Sequence, residues 1–179
     1  MKTTIVSFSS RPNGNCAQIA KLIQSLTDDA VLYDFSAFSL HPCGGCGYEC
    51  FTSRERCPFI GDPEYEILDT ITHSEMVYFV LPNYCDYPCA NYFIFNERSQ
   101  CYFQGRPELL DLYEKVPKRS IVVSNTEEEN FLKVLSYQSE EPDVLFLSAK
   151  KYGRVSIRGD LLTSEEAVSE IKAFVEKAV

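Results

Sequence analysis

The segment "TTIVSFSSRPNGNCAQIAKLIQSL", residues 3–26, changes its hydrophobic period halfway along. Thr3 to Phe8 is a short β-branched and apolar run of the kind that extends into a strand. From Asn15 onward, Ile19, Leu22, Ile23 and Leu26 recur at helical spacing and share one face. The residues between, Ser9 to Asn15, are small or polar and include Pro12 and Gly14, which punctuate rather than continue either element. A strand that delivers a helix through so short a loop is half of a βαβ unit.

The rest of the chain repeats that unit. "AVLYDF" (30–35) reads as a second strand. "DPEYEILDTITH" (62–73) reads as a helix, with Asp62 as N-cap, Pro63 in the first turn, Glu64 and Glu66 at the positive end of the dipole, and Ile67, Leu68 and Ile71 as its buried face. "EMVYFVLP" (75–82) is apolar on both faces, which suits a central strand covered by helices on either side. "SIVVSN" (120–125) and "DVLFLSA" (143–149) follow the same pattern. "TSEEAVSEIKAFVEKAV" (163–179) closes the chain as an amphipathic helix, with Thr163 and Glu166 at capping-box spacing. The expected fold is one α/β domain over residues 1–179, a three-layer sandwich around a five-stranded parallel sheet of order 2-1-3-4-5. A Cys-rich insertion occupies residues 41–61.

The formal net charge of -9 offers no basic patch for a phosphate backbone, so nucleic acid is excluded as a partner. No apolar run approaches the ~18 residues of a membrane span, and the amino-terminal "MKTTIVSFSS" lacks a signal peptide's apolar core, so a cytoplasmic address is expected. In that compartment eight cysteines are expected as thiols or metal ligands rather than a disulfide framework.

Ligands of such sheets bind beyond the carboxyl ends of the strands. The segments there are "SSRPNGN", the cysteine loop, "PNYCDYPCAN" and "NTEEEN". In the first, small residues before a helix start let backbone amides approach an anion, so Ser9, Ser10, Arg11, Asn13, Gly14, Asn15 and Cys16 form a candidate phosphate cradle. A polar turn that merely caps the helix would read the same way. It is neither a Walker A loop nor a dinucleotide fingerprint. In the cysteine loop Cys43, Cys46, Cys50 and Cys57 have the spacing C-x2-C-x3-C-x6-C, compatible with a [4Fe-4S] cluster, with zinc, or with unliganded thiols. His41, beside Cys43, is an alternative ligand or an ordinary loop residue. Glu127, Glu128 and Glu129 are expected as a solvent-facing first helical turn.

"SFSSRPNGNCAQIAKLI" resembles the Gly-Ser-x-Arg-x-x-Gly-Asn-Thr segment of the flavodoxin-like NAD(P)H-dependent FMN reductases. Ser10, Arg11, Gly14 and Asn15 match, Ser9 replaces the glycine, and Cys16 stands where a hydroxyl residue commonly donates to the FMN phosphate. "LPNYCDYPCANYFIFNER" is similar to the family's Pro-x-Tyr loop and the helix after it, with Glu97 and Arg98 in place of an Asp-Arg pair. The resemblance implies that Pro82, Asn83, Tyr84, Cys85 and Asp86 lie against the flavin ring and that Ser124, Asn125 and Thr126 complete the pocket. Iron-sulfur flavoproteins of the same superfamily carry a compact four-cysteine motif where Cys43 to Cys57 stand.

The resemblance implies an FMN-binding oxidoreductase that passes electrons from NAD(P)H through the flavin to a quinone, flavin, metal or protein acceptor. It also implies a homodimer. A non-enzymatic flavodoxin-like electron carrier would use the same loops. A Cys-based metal-binding or redox-sensing protein without flavin is the other alternative.

Overall fold

In the computed structural model, residues 1–125, 129–136 and 141–177 are described. Five parallel strands, β1 (Lys2–Ser7), β2 (Asp29–Asp34), β3 (Met76–Tyr84), β5 (Lys118–Ser124) and β6 (Asp143–Ser148), form one sheet in the order β2-β1-β3-β5-β6. Ranked along the chain, these five strands have the expected order. The addition is β4 (Tyr87–Pro88), two residues that turn back antiparallel on β3. Helices α1 (Asn15–Leu26), α2 (Glu64–Thr72), α3 (Ala90–Phe103), α4 (Pro107–Lys115), α5 (Glu129–Leu135) and α6 (Glu165–Glu176) complete the layers.

The period-2 alternation of the strands builds two cores. Along β3, Met76, Tyr78 and Val80 enter one core with Ile19 and Ile23 of α1 and Ile171 of α6. Val77, Phe79 and Leu81 point the other way, to Ile67, Leu68 and Ile71 of α2 and Tyr92 and Phe95 of α3. Ile5 and Val6 of β1 divide between the cores in the same manner. Each fully buried aliphatic side chain contributes about 1.5–3 kcal/mol, and a strand buried on both faces collects that on every residue.

Two predicted helix caps differ. Asp62 does not cap α2, whose N-cap position is Pro63 with no side-chain cap. Its carboxylate instead accepts the His41 amide at 2.9 Å and Arg98 Nη1 at 2.5 Å, because a buried guanidinium competes for it more strongly than helix amides do. At α6 the cap is Ser164, whose Oγ accepts the Ala167 amide at 3.3 Å, while Thr163 Oγ1 donates to the Asp160 carbonyl.

Candidate functional site

The carboxyl end of β1 continues into a tight turn. Gly14 N–H donates to the Arg11 carbonyl at 3.2 Å, Ser9 Oγ accepts the Arg11 amide at 3.2 Å, and Asn13 sits in the left-handed region at φ 57°. A Cβ on Gly14 would meet Arg11 Cβ at 3.2 Å and Arg11 O at 3.3 Å, so the turn is packed to the limit there. The first amides of α1, which no helix pairs internally, begin directly after it. Asn91 of α3 anchors the turn from the side, donating to the Phe8 carbonyl and to Ser10 Oγ, both at 2.8 Å. Cys89 Sγ donates to the same carbonyl at 3.2 Å.

A hollow of ≈ 40 Å³ lies over this turn. Ser9, Arg11, Gly14, Asn15, Cys16, Pro82, Asn83 and Tyr84 line it, together with Val123 and Ser156. Asn83 Nδ2 donates to Ser124 Oγ at 3.0 Å, which ties the ends of β3 and β5 together behind the hollow. The Tyr84 side chain remains 51% exposed, and that of Tyr87, paired with it across β3 and β4, is 56% exposed. Ser10 and Asn13 are exposed at the turn's outer edge. Thr126, Glu127 and Glu128 lie outside the described residues.

Cys85 and Asp86 are not part of the hollow. They form the two-residue turn between β3 and β4, at φ 52° and 67°. Positive φ at both central positions is the geometry that continues a hairpin's right-handed twist. Asn-Gly would have announced such a turn, whereas Cys-Asp does not, so the sequence reads as an open loop.

Cys16 departs from the rule for thiols at its position. A helix start tends to lower a thiol's pKa, but the side chain is buried, and that burial, reinforced by Cys89 and Asp34, pushes it far up instead. It is a neutral thiol on the wall of the hollow.

The hydrophobic pattern does not announce one segment of the rim. After β6 the chain crosses the Ser9–Asn15 turn: Arg11 Nη2 donates to the Ile157 carbonyl at 2.7 Å, Asn15 Nδ2 to Ser156 O at 2.8 Å, and Gln18 Nε2 to Gly159 O at 2.7 Å. Asn15 Oδ1 accepts the Leu161 amide, and Asn125 Oδ1 the Ser156 amide at 2.8 Å. Gly153 and Gly159, both left-handed at φ 64° and 72°, bracket this strap. The glycine pair in "YGRVSIRG" was the available signal.

The cysteine loop lies against α3. The Cys43 amide donates to Glu97 Oε1 at 2.5 Å. Arg98, 1% exposed, donates to the carbonyls of His41 and Phe59 as well as to Asp62. Burial pushes the Asp62 carboxyl up, but the His41 and Arg98 donors outweigh it and hold it below its ordinary value. Glu64, fully buried, is pushed up to about 8 by burial despite Arg98 Nε at 3.0 Å. That contact lacks hydrogen-bond alignment, and neither Glu64 oxygen receives a hydrogen bond. His41 stacks on Phe59 with centroids 4.8 Å apart and its Nδ1 lies 3.1 Å from Asp62.

The four-cysteine ligand set does not assemble. Cys50 and Cys57 turn inward and pack with Cys101 of α3, whereas Cys43 and Cys46 remain half-exposed. Among the described residues no three His, Cys, Asp or Glu side chains are arranged to hold a metal ion. Nor is any helix among them long and apolar enough to cross a membrane.

No protein-family profile matches the chain, and no curated protein matches it. Solved structures do. The Trp repressor binding protein of Bacillus subtilis is similar over 98% of this chain and 100% of its own, at 13% identity and a TM-score of 0.66. FerB, a flavoenzyme NAD(P)H:(acceptor) oxidoreductase of Paracoccus denitrificans, covers 98% of this chain with 96% of its own at 16% identity and a TM-score of 0.57. An azoreductase of Bacillus anthracis covers 99% with 100% of its own at 10% identity and a TM-score of 0.59. The class defined by sheet order and these likenesses is the flavodoxin-like α/β fold.

Proposed function

We propose that this chain binds FMN at the carboxyl end of β1 and is an oxidoreductase that takes electrons from NAD(P)H. The observation that carries the reading is the turn Ser9–Asn15, with Asn13 left-handed, Gly14 admitting no Cβ without crowding, and helix amides opening onto a hollow that also meets Tyr84. The flavoenzyme and azoreductase among the structural neighbours support it.

The residues present fit the phosphate end of FMN. The hollow takes a small anionic group and excludes a tricyclic ring, so the ring's surface is the exposed pair Tyr84 and Tyr87 on the rim. With Cys16 neutral and Arg11 Nη2 donating to the Ile157 carbonyl, backbone amides supply the anion contacts. A bound flavin would supply the electron transfer itself; the chain's share is to hold and orient it. The acceptor is a small molecule or a protein, and the site of action the cytoplasm.

The test is an anaerobic absorption spectrum of purified protein after addition of FMN and removal of the excess, followed by NADH or NADPH. A retained flavin spectrum that bleaches with either nucleotide is expected. A colourless protein overturns the reading.

A further inference from the structure

Two of the loop's four cysteines, Cys50 and Cys57, converge on a partner that the ligand spacing did not include. Cys50, Cys57 and Cys101 are 6%, 7% and 4% exposed and form a satellite cluster of their own, walled by Phe59 and Tyr65. Cys101 packs in the same cluster as Cys50 and Cys57, so one thiol of α3 sits among two of the loop. The Tyr65 hydroxyl, buried and with no well-formed hydrogen bond, has the Cys101 and Cys57 thiols as neighbours. Two guanidinium groups adjoin the pocket: Arg54 lies 5.1 Å from the Tyr65 ring centre and Arg98 5.4 Å from that of Phe59.

We propose that Cys101 is the shared member of a reversible disulfide site, pairing with Cys50 or Cys57 when the protein meets a peroxide oxidant. The loop thiol, as thiolate, attacks a peroxide oxygen. The O–O bond breaks, a hydroxide-equivalent leaves as water, and a sulfenic acid remains. Cys101 then attacks that sulfur, gives up its proton, and expels a second water as the S–S bond forms. Two thiols lose two electrons in total and hydrogen peroxide gains them.

Burial keeps the Cys101 thiol protonated, which suits the resolving rather than the attacking role. The three thiols pack in one buried cluster, so the bond would join side chains that the fold already brings together. Access comes through the loop itself, which around Cys50 and Cys57 has only the short turns Glu49–Phe51 and Arg54–Arg56 and opens more readily than the helices. The product would pin residues 50–57 to α3.

The experiment is hydrogen peroxide treatment of the full chain, followed by alkylation and non-reducing peptide mapping. Expected are the loss of two hydrogens in the intact mass, a linked peptide pair containing Cys101 with Cys50 or Cys57, and reversal by dithiothreitol. The oxidised protein should melt higher by at least about 5 °C. Cys101→Ser should abolish the bond and Cys85→Ser, at an exposed thiol, should leave it. Free thiols after treatment, a sulfinic acid on one cysteine, or a disulfide confined to Cys43, Cys46 or Cys85 would each overturn the proposal. Because wild-type protein gives the decisive map, misfolding of the serine variant does not alter the result, and flavin retention is a separate measurement.

Discussion

Arg98 Nη1 donates to Asp62 Oδ2 at 2.5 Å, joining the middle of α3 to the end of the cysteine loop through a guanidinium that is almost wholly buried. A buried cation between the Asp62 and Glu64 carboxylates and two carbonyls is a clamp, and its removal takes the charged donor from all four while Asp62 keeps only the His41 donors. Arg98→Met should therefore destabilise the fold by about 3–5 kcal/mol. Chemical denaturation measures this, and a change under about 1 kcal/mol would show that the pair is only decorative.

Glu64 gives the clamp a pH signature. Its folded pKa of about 8 lies above the ordinary carboxyl value of 4.5, so the folded state holds its proton more tightly than the unfolded state. The associated stability is complete below about pH 4.5 and drains away as pH rises toward 8. Glu64→Gln keeps the shape without the titration. The variant should gain on wild type between about pH 5 and pH 8 by on the order of a few kcal/mol. Parallel stability curves across that range would contradict the assignment.

Cys85 holds φ 52° in the hairpin turn, a conformation that asparagine adopts at smaller cost. Cys85→Asn should raise stability by about 0.5–1 kcal/mol, read as a shift in the denaturation midpoint without a change in slope. A loss would mean that the thiol makes a contact the turn depends on.

Gly14→Ala tests the proposed phosphate turn. The backbone at φ -71° tolerates alanine, so the fold should persist, but the added Cβ meets Arg11 at 3.2 Å and must push the turn open. FMN affinity, measured by fluorescence quenching on titration, should fall about tenfold, equivalent to about 1.4 kcal/mol. Unchanged affinity would place the phosphate elsewhere.

The sheet was legible because Val77, Phe79 and Leu81 alternate with Met76, Tyr78 and Val80 between two apolar cores, and a strand covered on both faces must be apolar throughout. The turn at Gly14 was legible for a local reason also, since a period change needs a loop and the loop's composition is visible. The strap was not. Ser156 and Gly159 reach the site through backbone carbonyls, and every residue type carries a carbonyl. Nor was Cys101, which lies 44 positions beyond Cys57 on another element; cysteine spacing shows only neighbours in sequence. The same limit concealed Asp62, whose capping chemistry was overruled by an arginine 36 residues away.

The bond from the Leu161 amide to Asn15 Oδ1 at 3.0 Å spans 146 positions. On a ribosome the turn at Gly14 emerges early, but the chain that braces it arrives only after β6 has been made. The nascent amino-terminal unit would thus wait with its cradle unbraced, and closure of this long-range contact would fall among the last steps of folding, when the entropy of a long loop is already spent on the sheet.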